Sequence, residues 1–144
     1  MTDVSIERVF SAPQEKVFSF ITETENLLRW WGPEGISIAE NNLNFSTCGP
    51  WFSVMVNGDG EKFKVSGQVT SVNPPNSVSF TWGWHDDQDI RGAESHVTVT
   101  LRADQSGGTK FELVHRELTD EEAGVRHNEG WTSSLRKLEQ FVNS

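Results

Sequence analysis

The stretch Thr119 to Val142, TDEEAGVRHNEGWTSSLRKLEQFV, constrains what the rest of the chain must be. His127, Trp131, Leu135, Leu138 and Val142 recur at intervals of three or four, which lays one apolar stripe along a helix. Thr119-Asp120-Glu121-Glu122 opens it as a capping box, with acids at the positive end of the helix dipole. A stripe this long has to be buried against something.

The residues before it supply the partner. From Ile36 the period changes to two. Ile36-Ser37-Ile38 and Leu43-Asn44-Phe45 read as short strand pieces, and Trp51 to Val56 as a strand closed by the hairpin signal Asn57-Gly58-Asp59-Gly60. Phe63, Val65, Gly67 and Val69 share one face of the returning strand, which ends at Asn73-Pro74-Pro75-Asn76. Val78, Phe80, Trp82 and Trp84 then alternate with small polar residues and glycine, and Val97, Val99 and Leu101 do so with polar ones. After the turn Ser106-Gly107-Gly108, Phe111, Leu113 and His115 line one face of a last strand.

The N-terminal part adds one strand and two short helices. Val4 to Phe10 alternates until its last pair. Ser11-Ala12-Pro13-Gln14 follows as a helix start, with Ser as N-cap and Gln completing the box. Val17, Phe18 and Ile21 form its stripe. A second helix starts at Thr24 and ends before Gly32-Pro33, with Leu27, Leu28 and Trp31 on its apolar face. That leaves Trp30 pointing elsewhere, because neighbours on a helix diverge by about 100°.

The predicted fold is therefore α+β: an antiparallel sheet of about seven strands, curved around the C-terminal helix, with two short helices after strand 1. A hairpin-rich sheet must cover its apolar face, and the last helix is the only element long enough to do so. The 144 residues fit a single domain, 1–144, without repeats or linkers.

Composition narrows the function. Six Trp and nine Phe with no Tyr favour a thick apolar interior or a lined pocket. Twenty-one acids against twelve bases, a net charge of −9, repel nucleic acid and anionic membranes. The start MTDVSIERVF lacks the basic residues and apolar run of a signal peptide, so a cytoplasmic protein is expected. Cys48 is the only cysteine, which excludes an internal disulfide.

The order of motifs resembles the START-like, helix-grip or SRPBCC superfamily, and within it the homologues of the activator of heat-shock protein 90 ATPase. The resemblance is carried by Ser11-Ala12-Pro13, Trp30-Trp31-Gly32-Pro33, Val65-Ser66-Gly67, Asn73-Pro74-Pro75 and Phe80-Thr81-Trp82. Glu94-Ser95 with Val97-Thr98-Val99, Gly108-Thr109-Lys110-Phe111, and Gly130-Trp131 with Leu135 and Leu138 complete it. It implies a seven-stranded sheet gripping the last helix, with a cavity between them. Members of the wider superfamily bind lipids, hormones and polyketides there, and a minority are enzymes. The family's name comes from a two-domain cochaperone, of which this chain has room for something like the second domain.

Chemistry is sparse. The four histidines, His85, His96, His115 and His127, lack metal-site spacing. The acidic loop from Asp86 to Gly92 echoes a calcium loop but places Arg91 where an oxygen ligand is needed. No nucleophile elbow or phosphate loop occurs, and the serines sit mostly on polar strand faces or in turns. No metal, cofactor or catalytic residue is expected.

What remains is a ligand cavity. Its expected wall is Phe63, Phe80, Trp82, Trp84, Val97, Val99, Phe111, Leu113 and His115 from the sheet, and His127, Trp131 and Leu135 from the helix, with Trp30 capping the mouth. Gly130 costs the helix about 1 kcal/mol relative to Ala, so either close sheet approach or ligand room should require it. The expected partner is a small hydrophobic or amphipathic molecule. The alternatives are a cochaperone-like interaction module, with a chaperone or a homodimer contact, and a cavity enzyme of cyclase or hydratase type using His115 or His127.

Overall fold

The computed structural model describes residues 2–143. Strand β1 (Thr2–Phe10) is followed by helices α1 (Gln14–Thr22) and α2 (Thr24–Trp30). Six strands follow: β2 (Ser37–Asn41), β3 (Gly49–Val56), β4 (Lys62–Asn73), β5 (Ser77–Trp84), β6 (Ser95–Ala103) and β7 (Thr109–Leu118). Helix α3 (Glu121–Val142) closes the chain. The strands form one curved antiparallel sheet in the order β1-β7-β6-β5-β4-β3-β2. β1 and β2, consecutive in sequence, lie at opposite edges, so α1 and α2 must carry the chain across the concave face. That is the helix-grip architecture expected from the sequence.

The period-two stripes meet by register. Phe80 pairs with Val97, and Val97 with His115, while Val99 pairs with Leu113 and Leu101 with Phe111. All of these side chains are buried, as are Trp131, Leu135, Leu138 and Val142 on α3. Fully burying a side chain of this class contributes about 1.5–3 kcal/mol, so the concave face and the α3 stripe supply the main stabilising term.

Local expectations failed where distant partners took over a polar group. Ser11 does not cap α1: Pro13 is the N-cap, without a side-chain hydrogen bond. Instead the amide and hydroxyl of Ser11 donate to Asn143 Oδ1 at 2.9 and 3.0 Å, tying the first turn to the end of α3. Gln14 donates to the carbonyl of Pro75 at 2.8 Å rather than closing a capping box. At α3 the cap is Asp120, one residue beyond Thr119, with Oδ1 accepting from Ala123 N at 2.8 Å. Leu43 and Phe45 belong to no strand, yet both are fully buried, and the Phe45 amide donates to Thr22 O at 2.8 Å.

The double tryptophan is the largest correction. Helix α2 ends at Trp30, and Trp31 already has extended backbone, with φ −63° and ψ 130°. Trp30 therefore shares the helix's buried face with Leu27, and its indole donates to Phe20 O at 2.8 Å. It is 3% exposed and caps no mouth. Leu28, expected on the buried face, is 41% exposed. Leaving the helix at Trp31 swings that ring across the grip, where Nε1 donates to Ser53 Oγ at 2.9 Å. Trp31 meets Phe45, Trp51 and Trp131 edge-on at centroid separations of 5.5 to 6.0 Å.

Candidate functional site

A cavity of about 590 Å³ opens between the N-terminal half of α3 and the end of the sheet where β5, β6 and β7 converge. Strand parity delivers Trp82 and Trp84 from β5, Met55 from β3 and Phe63 from β4. Helical spacing delivers Ala123, His127, Gly130, Trp131 and Ser134 from α3. The roof is Trp31-Gly32-Pro33, the turn that follows α2. Gly32 and Gly35 hold φ of 86° and 88°, a left-handed conformation that glycine adopts without strain. The turn is fastened to α3: the Glu34 amide donates to Ser133 Oγ at 2.8 Å, and Arg136 Nη2 donates to Glu34 Oε1 at 2.9 Å. That guanidinium holds the Glu34 carboxyl below its ordinary range, assisted by the Ser133 hydroxyl.

Two indoles and two imidazoles at this wall are committed to one another, while Trp82 Nε1 is buried without a partner among the described residues. Trp84 Nε1 donates to His127 Nε2 at 3.0 Å, so His127 carries its proton on Nδ1, which donates to Ala123 O at 2.7 Å. Trp131 Nε1 donates to His115 Nδ1 at 3.1 Å, which leaves His115 Nε2 to donate to Ser95 Oγ at 2.7 Å. An indole only donates, so both imidazoles are neutral acceptors. The rings stand 4.8 Å apart. Burial pushes the His115 pKa down to about 3, and the neighbouring His127 and His96 act in the same direction. Burial also lowers that of His127, against the opposing effect of its bond to the Ala123 carbonyl. An imidazole whose lone pair already accepts an indole N–H has no free base to offer. This wall is built to exclude charge.

Charge appears at the rim. Glu117, with φ 67°, sits at a bulge of β7, and its amide donates to Asp3 Oδ1 at 3.1 Å. Its carboxylate lies 2.9 Å from His96 Nδ1. Thr119 and Arg126 complete the entrance.

Of the residues expected to line the cavity, Phe63, Trp82, Trp84, His127 and Trp131 do so. Phe80, Val97, Val99, Phe111, Leu113 and Leu135 face the same way but are packed solid in the core, and Trp30 is buried against α1. His115 is fully buried behind the wall, bonded to Ser95 and Trp131 and against the rings of Trp82 and His127, and does not itself line the cavity. Glu94, of opposite parity, is paired with Arg91 at 3.1 Å. Strand parity gives direction but not depth, so it could not separate filled core from open wall. Trp31, expected to anchor the second helix, lines the cavity as well, as do Met55, Ser95 and Arg126. The i, i+3, i+4 set of Ala123, His127, Gly130 and Ser134 was the one sequence signal that could have placed more of the wall.

Gly130 resolves the choice left open by the sequence. A Cβ there would meet only Pro33 Cγ, at 3.7 Å, an ordinary contact. No close approach demands the glycine; its missing side chain leaves room in the cavity.

The family model described as Activator of Hsp90 ATPase homolog 1-like protein matches residues 11–143. The chain belongs to this family. The AHSA1 protein from Silicibacter pomeroyi is 53% identical, with a TM-score of 0.93 over 96% of each chain. A protein from Chromobacterium violaceum has a TM-score of 0.88 at 21% identity, over 100% of this chain and 99% of that one. One from Mycobacterium smegmatis has 0.80 at 21% identity, over 99% and 91%. These last two share the fold. No curated protein matches the chain at a significant level. No helix among the described residues is long and apolar enough to cross a membrane.

Proposed function

We propose that this member of the Activator of Hsp90 ATPase homolog 1-like family holds a small apolar or amphipathic molecule between its sheet and α3. The observation that carries the reading is the cavity of about 590 Å³ walled by Trp31, Trp82, Trp84 and Trp131. Its volume falls in the range of about 300–1,000 Å³ usual for small-molecule sites. The neutral histidines favour an uncharged body inside, and the rim of Glu117, Thr119 and Arg126 receives any polar end. Both imidazoles being spent on structural hydrogen bonds favours binding over catalysis in this cavity.

Titration with an apolar fluorescent probe tests this, read by probe emission and by quenching of Trp fluorescence. Saturable binding of one probe per chain is expected, competed by uncharged aromatic molecules and less by charged ones. A chemically varied apolar library without one saturable binder would show the cavity to be only a packing defect.

A further inference from the structure

The convex face of the sheet carries a second arrangement, outside the cavity. Ser66 points outward from the middle of β4, paired with Phe52 on one side and Gly83 on the other. Its Oγ lies 2.7 Å from His85 Nε2, and His85 Nδ1 lies 2.8 Å from Asp89 Oδ1. A carboxylate facing Nδ1 fixes that proton and leaves Nε2 as the acceptor for the serine hydroxyl. Oxygen, imidazole and carboxylate thus follow one another in the order that activates a serine, recognised by geometry rather than by sequence position.

The loop between β5 and β6 holds the arrangement in place. Asp86 Oδ1 accepts from the amides of Gln88 and Ile90 at 2.9 and 3.0 Å, and Asp86 N donates to Ile90 O at 2.9 Å. This turn sets Asp89 at φ 62° beneath His85. Lys64 Nζ lies 3.2 Å from Asp89 Oδ1, and that ammonium holds the carboxyl below its ordinary range. Arg91 folds over Gly83, where a Cβ would stand 2.5 Å from its Cζ, and donates from Nε and Nη2 to Ser66 O at 3.2 and 3.0 Å. A cation is therefore fixed beside the serine, with Glu94 on its far side at 3.1 Å. His85, Lys64 and Asp89 border an outer groove of about 720 Å³. Glu40, Glu61, Asp86 and Asp87 also line it, against Lys62 and Lys64, so it repels anions.

We propose that Ser66, His85 and Asp89 form a nucleophilic serine site for small uncharged acyl esters, beside the groove that His85 and Asp89 border. Ser66 Oγ would bond to the ester carbonyl carbon while its proton passes to His85 Nε2. The ester C–O bond then breaks, and the leaving alcohol takes that proton. Water, deprotonated by His85, hydrolyses the acyl-serine and restores the hydroxyl. Ser66 and His85 are the catalytic residues, Asp89 positions His85, and Arg91, bonded to Ser66 O, holds the strand that carries the nucleophile.

An uncharged alkyl fluorophosphonate tests the site, since Ser66 Oγ would form the bond to phosphorus as fluoride leaves. The expected result is a single adduct, mapped to Ser66 by peptide mass spectrometry. His85→Gln should label at least about tenfold more slowly. Asp89→Asn should lower the maximal labelling rate without changing the probe concentration that half-saturates it. p-Nitrophenyl acetate hydrolysis should fall in parallel, while apolar-probe binding in the cavity is unchanged in all three proteins. Mapping the wild-type adduct needs no variant, so a poorly folding Ser66→Ala protein would not remove the test. Absence of a Ser66 adduct, or equal labelling in wild type and His85→Gln, overturns the proposal and leaves the cavity reading untouched.

Discussion

Helix α3 faces two different neighbourhoods along one stripe. At its C-terminal end the concave face is filled: Phe10 meets Phe111 edge-on at 5.4 Å, and Leu101, Leu135 and Leu138 are at most 1% exposed. At its N-terminal end the same sheet carries larger rings, yet Phe63 is 42% and Trp84 36% exposed, and a cavity remains. Size of side chain does not explain the difference. The filled end uses branched aliphatic residues and phenyl rings that interdigitate without polar atoms. The hollow end uses indoles and imidazoles, and satisfying the N–H groups of Trp84 and Trp131 holds those rings apart, while that of Trp82 stays unpaired among the described residues. Trp84 is drawn to His127 and Trp131 to His115, and Gly130 supplies no side chain to fill the gap between. A hydrogen-bonded aromatic wall can stay open where an aliphatic one would close.

The comparison is broken most directly at Trp31, the ring on the boundary between the two ends. Trp31→Ala should cost about 3–5 kcal/mol, because it removes an almost fully buried ring and orphans Ser53 Oγ. Denaturant unfolding measures this, and a loss below about 1 kcal/mol would mean the aromatic cluster repacks freely. Trp30→Ala should cost about 3 kcal/mol, with little change in probe affinity for the fraction that remains folded. Weakened binding at unchanged stability would put Trp30 back at the mouth.

Acid should loosen the hollow end selectively. His115 has its pKa depressed from 6.5 to about 3, so between those values the unfolded chain binds the proton and the folded one does not. Stability contributed by the neutral imidazole is thus present above pH 6.5 and lost as pH falls towards 3. The slope is at most about 1.4 kcal/mol per pH unit for this group. Wild-type unfolding should therefore be steeper in pH than that of His115→Gln, whose amide can still accept from Trp131 and donate to Ser95. Equal slopes would show that His115 is not the acid-sensitive group.

The smallest effect sharpens the comparison best. Gly130→Ala should stabilise α3 by up to about 1 kcal/mol, since the new Cβ meets only Pro33 at 3.7 Å. Probe affinity should nonetheless drop, because the methyl enters the cavity. Higher stability with unaltered binding would move the ligand away from α3.

The sequence determined the fold because periodicity is a local quantity. Intervals of three and four from His127 to Val142, and alternation through Phe80-Trp82-Trp84 and Val97-Val99-Leu101, require a helix on a one-faced sheet in any arrangement. They also chose the inward side chains correctly. Depth was beyond them: Phe80 and Trp82 share a face two residues apart, and only the second reaches the cavity. A one-residue difference in where α2 ends exchanged the roles of Trp30 and Trp31, and helix ends are fixed by partners elsewhere in the chain. Polar groups followed the same rule. Ser11 abandoned its cap for Asn143, His115 found Trp131, and Ser66 found His85 and Asp89, each across a separation set by strand register and chain return. Burial patterns repeat along the chain and can be read from it; a hydrogen bond depends on two particular atoms meeting, and only the folded sheet and helix brought these together.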